Sequence, residues 1–395
     1  MKKNHFWQSA LFASALLFGF TACSSDDEIK GASENVEKRL TLTINTGKLN
    51  TMRATSITDA DATTTKTSDE LTINRIAVGI FKTDGTLISV QELTSGTGNG
   101  KFTQSSTTAT ADIVTNNLTS TGGDEVLIAI NAPANHFAGV TSKTGFQTKL
   151  SLSDALGSTT ADATKLPMYG EGTTVAPTGG STKYTAAINV QHQVSKVILK
   201  DITVAFDAAG SYNDAIFTPK EFFLINVPDN VDFTKAAWIS SISTYYAGNT
   251  TPGNTVAQTL TTGDLASPTA LSVSGTTSKT YNNALYTLPS QETTNNIRLV
   301  IAGDFDADGD GTAEGTVYYP VNLNWKFNET TNAEEAAETS TDAKKVYPNR
   351  KYICSVTIKT KGATAPDKKV DPEVATITVT VQNWSAAVTQ DVTFK

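Results

Sequence analysis

Strict alternation of apolar and hydroxyl side chains over short stretches is what most limits the folds open to this chain. Leu40-Thr41-Leu42-Thr43-Ile44 and Thr376-Ile377-Thr378-Val379-Thr380-Val381 repeat with a period of two residues. An extended strand gathers such a pattern onto one face, and a helix scatters it. Comparable runs cover Ile73 to Phe81, Leu87 to Val90, Glu221 to Val227, Ala284 to Leu288, Ile297 to Ala302, Val317 to Trp325 and Lys351 to Ile358. Most of them end in Gly, Asn, Asp or Pro, which is the punctuation of strands and turns. Val126-Leu127-Ile128-Ala129-Ile130 is apolar on both faces and reads as a central strand. The fold class expected is therefore all-β, with the short runs packed as β-sandwiches.

Between these runs the reading is coarser. Thr83-Asp84-Gly85-Thr86 predicts a hairpin turn. Gly96 to Lys101 reads as another hairpin tip, Gly145 to Leu156 as a short helix, and Leu166-Pro167-Met168-Tyr169-Gly170 as an interruption. Tyr184 to Phe206 predicts a long strand or a bulged pair, with His192, Val194, Val197, Leu199, Ile202, Val204 and Phe206 facing inward. Ala257 to Asn283 is polar enough to be a long loop, and Asn328 to Lys345 reads as a surface loop with a turn or two of helix. A domain boundary is placed near residue 190.

The chain has 395 residues, a net charge of −8 and no cluster of Lys and Arg, which argues against nucleic acid as a partner. Its two cysteines are Cys23 and Cys354. Cys354 shares a strand face with Tyr352, Val356 and Ile358, so it reads as a small core residue rather than a reactive thiol. Only His136 and His192 lie beyond the N-terminal apolar segment, and neither is paired with a nucleophile in any known spacing. Gly96-Thr97-Gly98-Asn99-Gly100-Lys101 lacks the spacing of a phosphate loop, and Phe102 stands where Ser or Thr is needed. No enzyme is expected.

One stretch has the residue types for a cation. Asp304, Asp306, Asp308 and Asp310 alternate before Gly311, as in calcium loops. The bidentate Glu is missing, because Gly315 or Val317 falls at its position, so calcium and a plain acidic hairpin loop both remain readings. No other cofactor is expected.

Both ends carry further signals. Lys2 and Lys3, an apolar run from Ala10 to Phe20 and then Thr21-Ala22-Cys23 form a lipoprotein signal over residues 1–23, with Cys23 as the lipidated residue. The run is too short to span a bilayer core of about 30 Å, and two acyl chains anchor where one does not. At the other end, Ala386, Val388, Val392 and Phe394 share one parity and Thr389, Asp391, Thr393 and Lys395 the other. A strand able to leave (Leu40, Leu42, Ile44) and a strand able to arrive (residues 386–395) are what head-to-tail strand exchange requires.

Taken in order, Cys23, the strand at Leu40 to Ile44, Arg53-Ala54, Ile76 to Gly85, Leu166 to Gly170, Asn349-Arg350-Lys351-Tyr352 and Val381-Gln382-Asn383-Trp384 resemble the fimbrillins of Bacteroidales, the major-subunit type of the FimA/Mfa1-like pilins. Ser24-Ser25-Asp26-Asp27-Glu28 is similar to the export tract of surface lipoproteins of the Bacteroides type. The resemblance implies two transthyretin-like β-sandwich domains in tandem, over 54–190 and 191–395, behind a propeptide at 24–53. It also implies an Arg-specific protease as partner, cutting after Arg53 to leave Ala54 first, with Arg39 as a competing site. Localisation would pass from an outer-membrane lipidated precursor to a cell-surface fimbria built with copies of itself and related subunits, supporting adhesion. The alternative is a surface lipoprotein that binds glycans or host proteins without polymerising, through Trp238, Tyr245, Tyr246 and Trp325.

Overall fold

The computed structural model describes residues 38–46, 67–105, 107–153, 156, 163–179, 181, 183–232, 245, 268–328, 333–338, 342–368 and 375–383. They are almost entirely β. Ten strands come from the first part of the chain: β1 (Lys38–Asn45), β2 (Arg75–Phe81), β3 (Leu87–Ser95), β4 (Lys101–Ser105), β5 (Thr108–Thr115), β6 (Gly122–Ile130), β7 (Ser151–Ser153), β8 (Met168–Val175), β9 (Lys183–Asn189) and β10 (Gln191–His192). Ten follow: β11 (Ser195–Val204), β12 (Ile216–Ile225), β13 (Asn230–Asp232), β14 (Ser278–Thr287), β15 (Arg298–Asp306), β16 (Gly315–Asn322), β17 (Lys326–Asn328), β18 (Ala333–Glu335), β19 (Arg350–Ile358) and β20 (Ala375–Asn383). The helices are short, α1 (Thr67–Glu70) and α2 (Lys143–Thr148).

A nine-stranded sheet runs β10-β8-β6-β2-β3-β4-β5-β1-β9. A Val175–Thr185 pair joins β8 back to β9, so the sheet returns on itself around one core. Leu40, Leu42, Ile44, Ile76, Val78, Ile80, Val126, Ile128 and Ile130 all point into that core. The other faces of β2 and β6, carrying Ala77, Phe81, Leu127 and Ala129, join a second core. Both faces of Val126 to Ile130 are thus buried, as a central strand demands.

The second core is built chiefly by two sheets, β14-β11-β19-β20 and β12-β15-β16. A bulge between Leu199 and Asp201 explains the inward list of β11. It switches the buried parity from Val197 and Leu199 to Ile202 and Val204, which a regular strand could not do.

Several expectations are corrected. Leu166 to Gly170 leads into a strand, β8, rather than breaking one: a Cβ on Gly170 would lie 2.5 Å from the carbonyl oxygen of Asn189, so only glycine lets β9 pass that close. Gly96 to Lys101 is no hairpin tip, because β3 and β4 pair in parallel, Thr94 with Lys101 and Ser95 with Phe102. Positive φ at Gly96, Gly98 and Gly100 permits that turn. The polar stretch before Asn283 contains the start of β14, and Asn328 to Lys345 contributes to the β17–β18 hairpin instead of a helical turn among the described residues. The expected helix begins earlier and is shorter, at Lys143–Thr148, capped by Ser142 Oγ accepting from the Gly145 amide.

Candidate functional site

β1 is an inserted strand, paired along both edges. It lies antiparallel to β5 from Lys38–Thr115 to Asn45–Thr108, and parallel to β9 from Arg39–Lys183 to Asn45–Asn189. Leu40, Leu42 and Ile44 are fully buried. Leu40 is flanked by Ile113 and Tyr184, Leu42 by Ala111 and Ala186, and Ile44 by Ala109 and Ile188. Each of the three side chains contributes roughly 1.5–3 kcal/mol by leaving water. Removing β1 would therefore open an apolar slot and leave unpaired main-chain groups on both β5 and β9.

The outward face of β1 is polar and specific. Thr41 Oγ1 donates to Asp112 Oδ1 at 2.6 Å, Lys183 Nζ stands 3.4 Å from Asp112 Oδ2, and Asn45 Nδ2 donates to Asn189 Oδ1 at 3.1 Å. The Thr41 hydroxyl, ahead of the Lys183 and Arg39 charges, holds the Asp112 carboxyl below its ordinary range. Lys38 Nζ donates to the Leu118 carbonyl at 2.6 Å and lies over the Tyr184 ring at 5.6 Å. A cleft of about 580 Å³ opens over this face, lined among others by Arg39, Thr41, Asn99, Lys101, Asp112 and Lys183. Asp112 and Lys183 were not singled out from the sequence. The alternation Ala109, Ala111, Ile113 inward already places Asp112 on the outer face.

The acidic loop is arranged differently from expectation. Asp304 pairs with Lys220, and Asp310 Oδ1 accepts from the Thr312 amide at 2.7 Å. The carboxylates that converge are Asp306, Asp308 and Glu314, within 4.8 Å of one another. Both oxygens of Asp306 accept main-chain amides, from Gly309 and Gly311, each at 2.8 Å. Glu314 Oε2 accepts from the Ala307 amide at 2.7 Å.

The sequence of the slot-bearing half now has a counterpart. The match to the model for the major fimbrial subunit protein, FimA, covers residues 39–206, from β1 into the first residues after β11. Those residues are similar to the FimA family. That family is one of structural, non-enzymatic fimbrial subunits, and the match supports a pilus component. No curated protein matches the chain. Among solved structures, a putative cell adhesion protein from Bacteroides eggerthii is 21% identical with a TM-score of 0.55, covering 89% of this chain and 98% of that one. A fimbrilin (FimA) from Porphyromonas gingivalis W83 is 16% identical with a TM-score of 0.54, covering 90% and 100%. At these identities the likeness is one of fold.

Against this fimbrial-subunit fold the sequence-level residues sort cleanly. Leu40, Leu42 and Ile44 come together in the slot. Cys23, Arg53, Ala54 and the tail residues Ala386, Val388, Val392 and Phe394 lie outside the described residues, β20 ending at Asn383. Cys354 is buried and its thiol is pushed up by burial, as suits a core residue. His136 Nε2 contacts the Lys149 carbonyl, and His192 Nε2 the Glu70 carbonyl at 2.8 Å, so both rings are structural. Tyr245 and Trp325 are buried, which removes them from an exposed sugar platform; Trp238 and Tyr246 lie outside the described residues. A buried cluster escaped the sequence reading altogether. Glu70 Oε1 accepts from Lys196 Nζ at 2.6 Å and from the Tyr286 hydroxyl at 2.7 Å, tying α1 to β11 and β14.

Proposed function

We propose that this chain is the structural subunit of a surface fimbria that grows by strand exchange and supports adhesion. It is exported as a precursor acylated at Cys23 in the outer membrane, and an Arg-specific protease cuts after Arg53, so that Ala54 becomes the first residue. The segment carrying β1 then departs, and residues 386–395 of a neighbouring copy or related subunit take its place. The observation that carries this reading is the position of β1, which fills an apolar slot between two strands of later sequence and is followed in the sequence by a linker that contains Arg53. The head-to-tail junction does not close on itself, so the product is a filament.

Arg39 fits the protease less well than Arg53. It sits within β1, paired with Val114 and Lys183, whereas proteases need an extended and accessible segment. The subunit divides in this reading into sandwiches over 54–190 and 191–395, supported by the change of sheet between β10 and β11. Calcium at Asp306, Asp308 and Glu314 is left out of this reading, and saturable heat on titration with millimolar calcium would bring it in.

N-terminal analysis of surface filaments tests the central claim. Ala54 is expected as the first residue, and acylated Cys23 in assembled material would reject cleavage-triggered growth. Deleting residues 386–395 is expected to abolish filaments and spare the folded subunit; filaments of normal length from that truncation would exclude the donor role.

A further inference from the structure

This inference rests on the strand-exchange reading and adds to it a direction, a register and a selecting residue. The slot has three buried places, those of Leu40, Leu42 and Ile44. In residues 386–395 the parity that carries Ala386, Val388, Val392 and Phe394 also carries Gln390. A frame centred on Gln390 sets its amide in the place of Leu42, between Ala111 and Ala186, a poor site for a buried polar group. A frame centred on Val388 leaves both Val392 and Phe394 outside the slot. Centring on Val392 puts Val392 in the middle place and Phe394 and Gln390 at the two ends, in either direction, so that Gln390 takes an end place, that of Ile44 or Leu40, and not the central one between the two alanines.

The outer face separates the two directions. Running as β1 runs, the tail brings Asp391 to the place of Thr41, directly against Asp112 on β5, and like charges opposite each other across a ladder are destabilising. Running the other way, it brings Thr393 to the place of Thr41, where its hydroxyl replaces the bond that Thr41 makes to Asp112. Lys395 then takes the place of Arg39, and Asp391 moves beside Thr110 and Ala187. We propose that Asp112 reads the incoming tail, selecting the direction opposite to β1, with Phe394 in the place of Leu40, Val392 in that of Leu42 and Thr393 on Asp112. The donor then lies antiparallel to β9 and parallel to β5, and both ladders are completed.

Cross-linking in filaments tests this. Full-length precursor carrying Thr393→Cys together with either Thr185→Cys or Ala187→Cys is cleaved, assembled, oxidised and run on a denaturing gel. Cys23 leaves with the excised segment, and Cys354 is buried. Directly opposed strand positions have the Cα spacing a disulfide needs, about 4.4–6.8 Å. The 393/185 pair is expected to give a ladder of covalent oligomers. A ladder from 393/187 instead overturns the direction and leaves strand exchange standing, whereas filaments that cross-link in neither pair overturn this register in both directions, strand exchange itself being tested by the deletion of residues 386–395. A second measurement needs no cysteines. Thr393→Asp set against Asp112 is expected to slow assembly roughly two- to fivefold, with Asp112→Asn restoring the rate. An unchanged rate overturns the register.

Discussion

At the scale of single residues, the proposed exchange would make Leu42 matter in the precursor and not in the filament. Leu42→Ala deletes fully buried apolar atoms between two alanines that cannot swell to fill the space, so it is expected to cost the precursor about 2–5 kcal/mol. Once β1 has been cut away that residue is gone. Filaments grown from the variant precursor are therefore expected to melt as wild-type filaments do, and a lowered filament midpoint would show that β1 is retained. His192 supplies a pH dependence. Burial holds its folded value below the ordinary 6.5, so the folded state prefers the neutral ring while the unfolded chain takes up the proton more readily. Its contribution is present in full above about pH 6.5 and is lost as pH falls below that toward the lowered folded value. Denaturant midpoints measured between pH 7.5 and 5 should fall with pH, and His192→Gln should flatten that fall.

At the scale of elements, β1 differs from an ordinary edge strand in having no free edge. Limited digestion of the precursor with an Arg-specific protease should therefore spare Arg39 and cut in the 46–66 stretch at Arg53; mass spectrometry of the early products reads this directly, and an early cut at Arg39 would mean that β1 frays in solution. How far such elements could be read from sequence depended on how their second face is used. β1 announces itself because a period-two apolar face is all its packing needs, and β2, β6, β15, β16 and β19 do so through their runs of apolar residues. The first half of β14 hides, whereas Ala284 to Leu288 was legible, because Tyr281 is the one large apolar residue between Ser278 and Asn283. β8 hides for the opposite reason: the glycines that look like chain breakers are there to admit β9. Of the acidic loop, the carboxylate run was visible, but Glu314 joins it only after Gly309 and Gly311 turn the chain back, a folding event that spacing alone does not reveal.

At the scale of the whole molecule, the contacts that matter most join segments far apart in sequence, and these were the least legible. Glu70 looks like one more acidic residue in a polar stretch. Its partners Lys196 and Tyr286 lie 126 and 216 residues away, so no local pattern could single it out. The pair is nevertheless buried, with side-chain exposures of 7% for Lys196 and 3% for Glu70. It fastens the segment just beyond the linker to the sheet that ends in β20, which leads into the tail. In the proposed filament, tension enters a subunit through its tail and leaves through the slot, so this seam lies between the two junctions. Lys196→Met strands a buried carboxylate and is expected to cost about 3–5 kcal/mol. Adding Glu70→Gln removes the stranded charge and should recover much of that loss, since apolar or neutral replacement of a whole buried pair is often nearly neutral. Calorimetry of the four proteins in the cycle measures the coupling. A double variant no more stable than Lys196→Met would mean that the two side chains do not act as a pair, and that the seam is held by the surrounding apolar contacts instead.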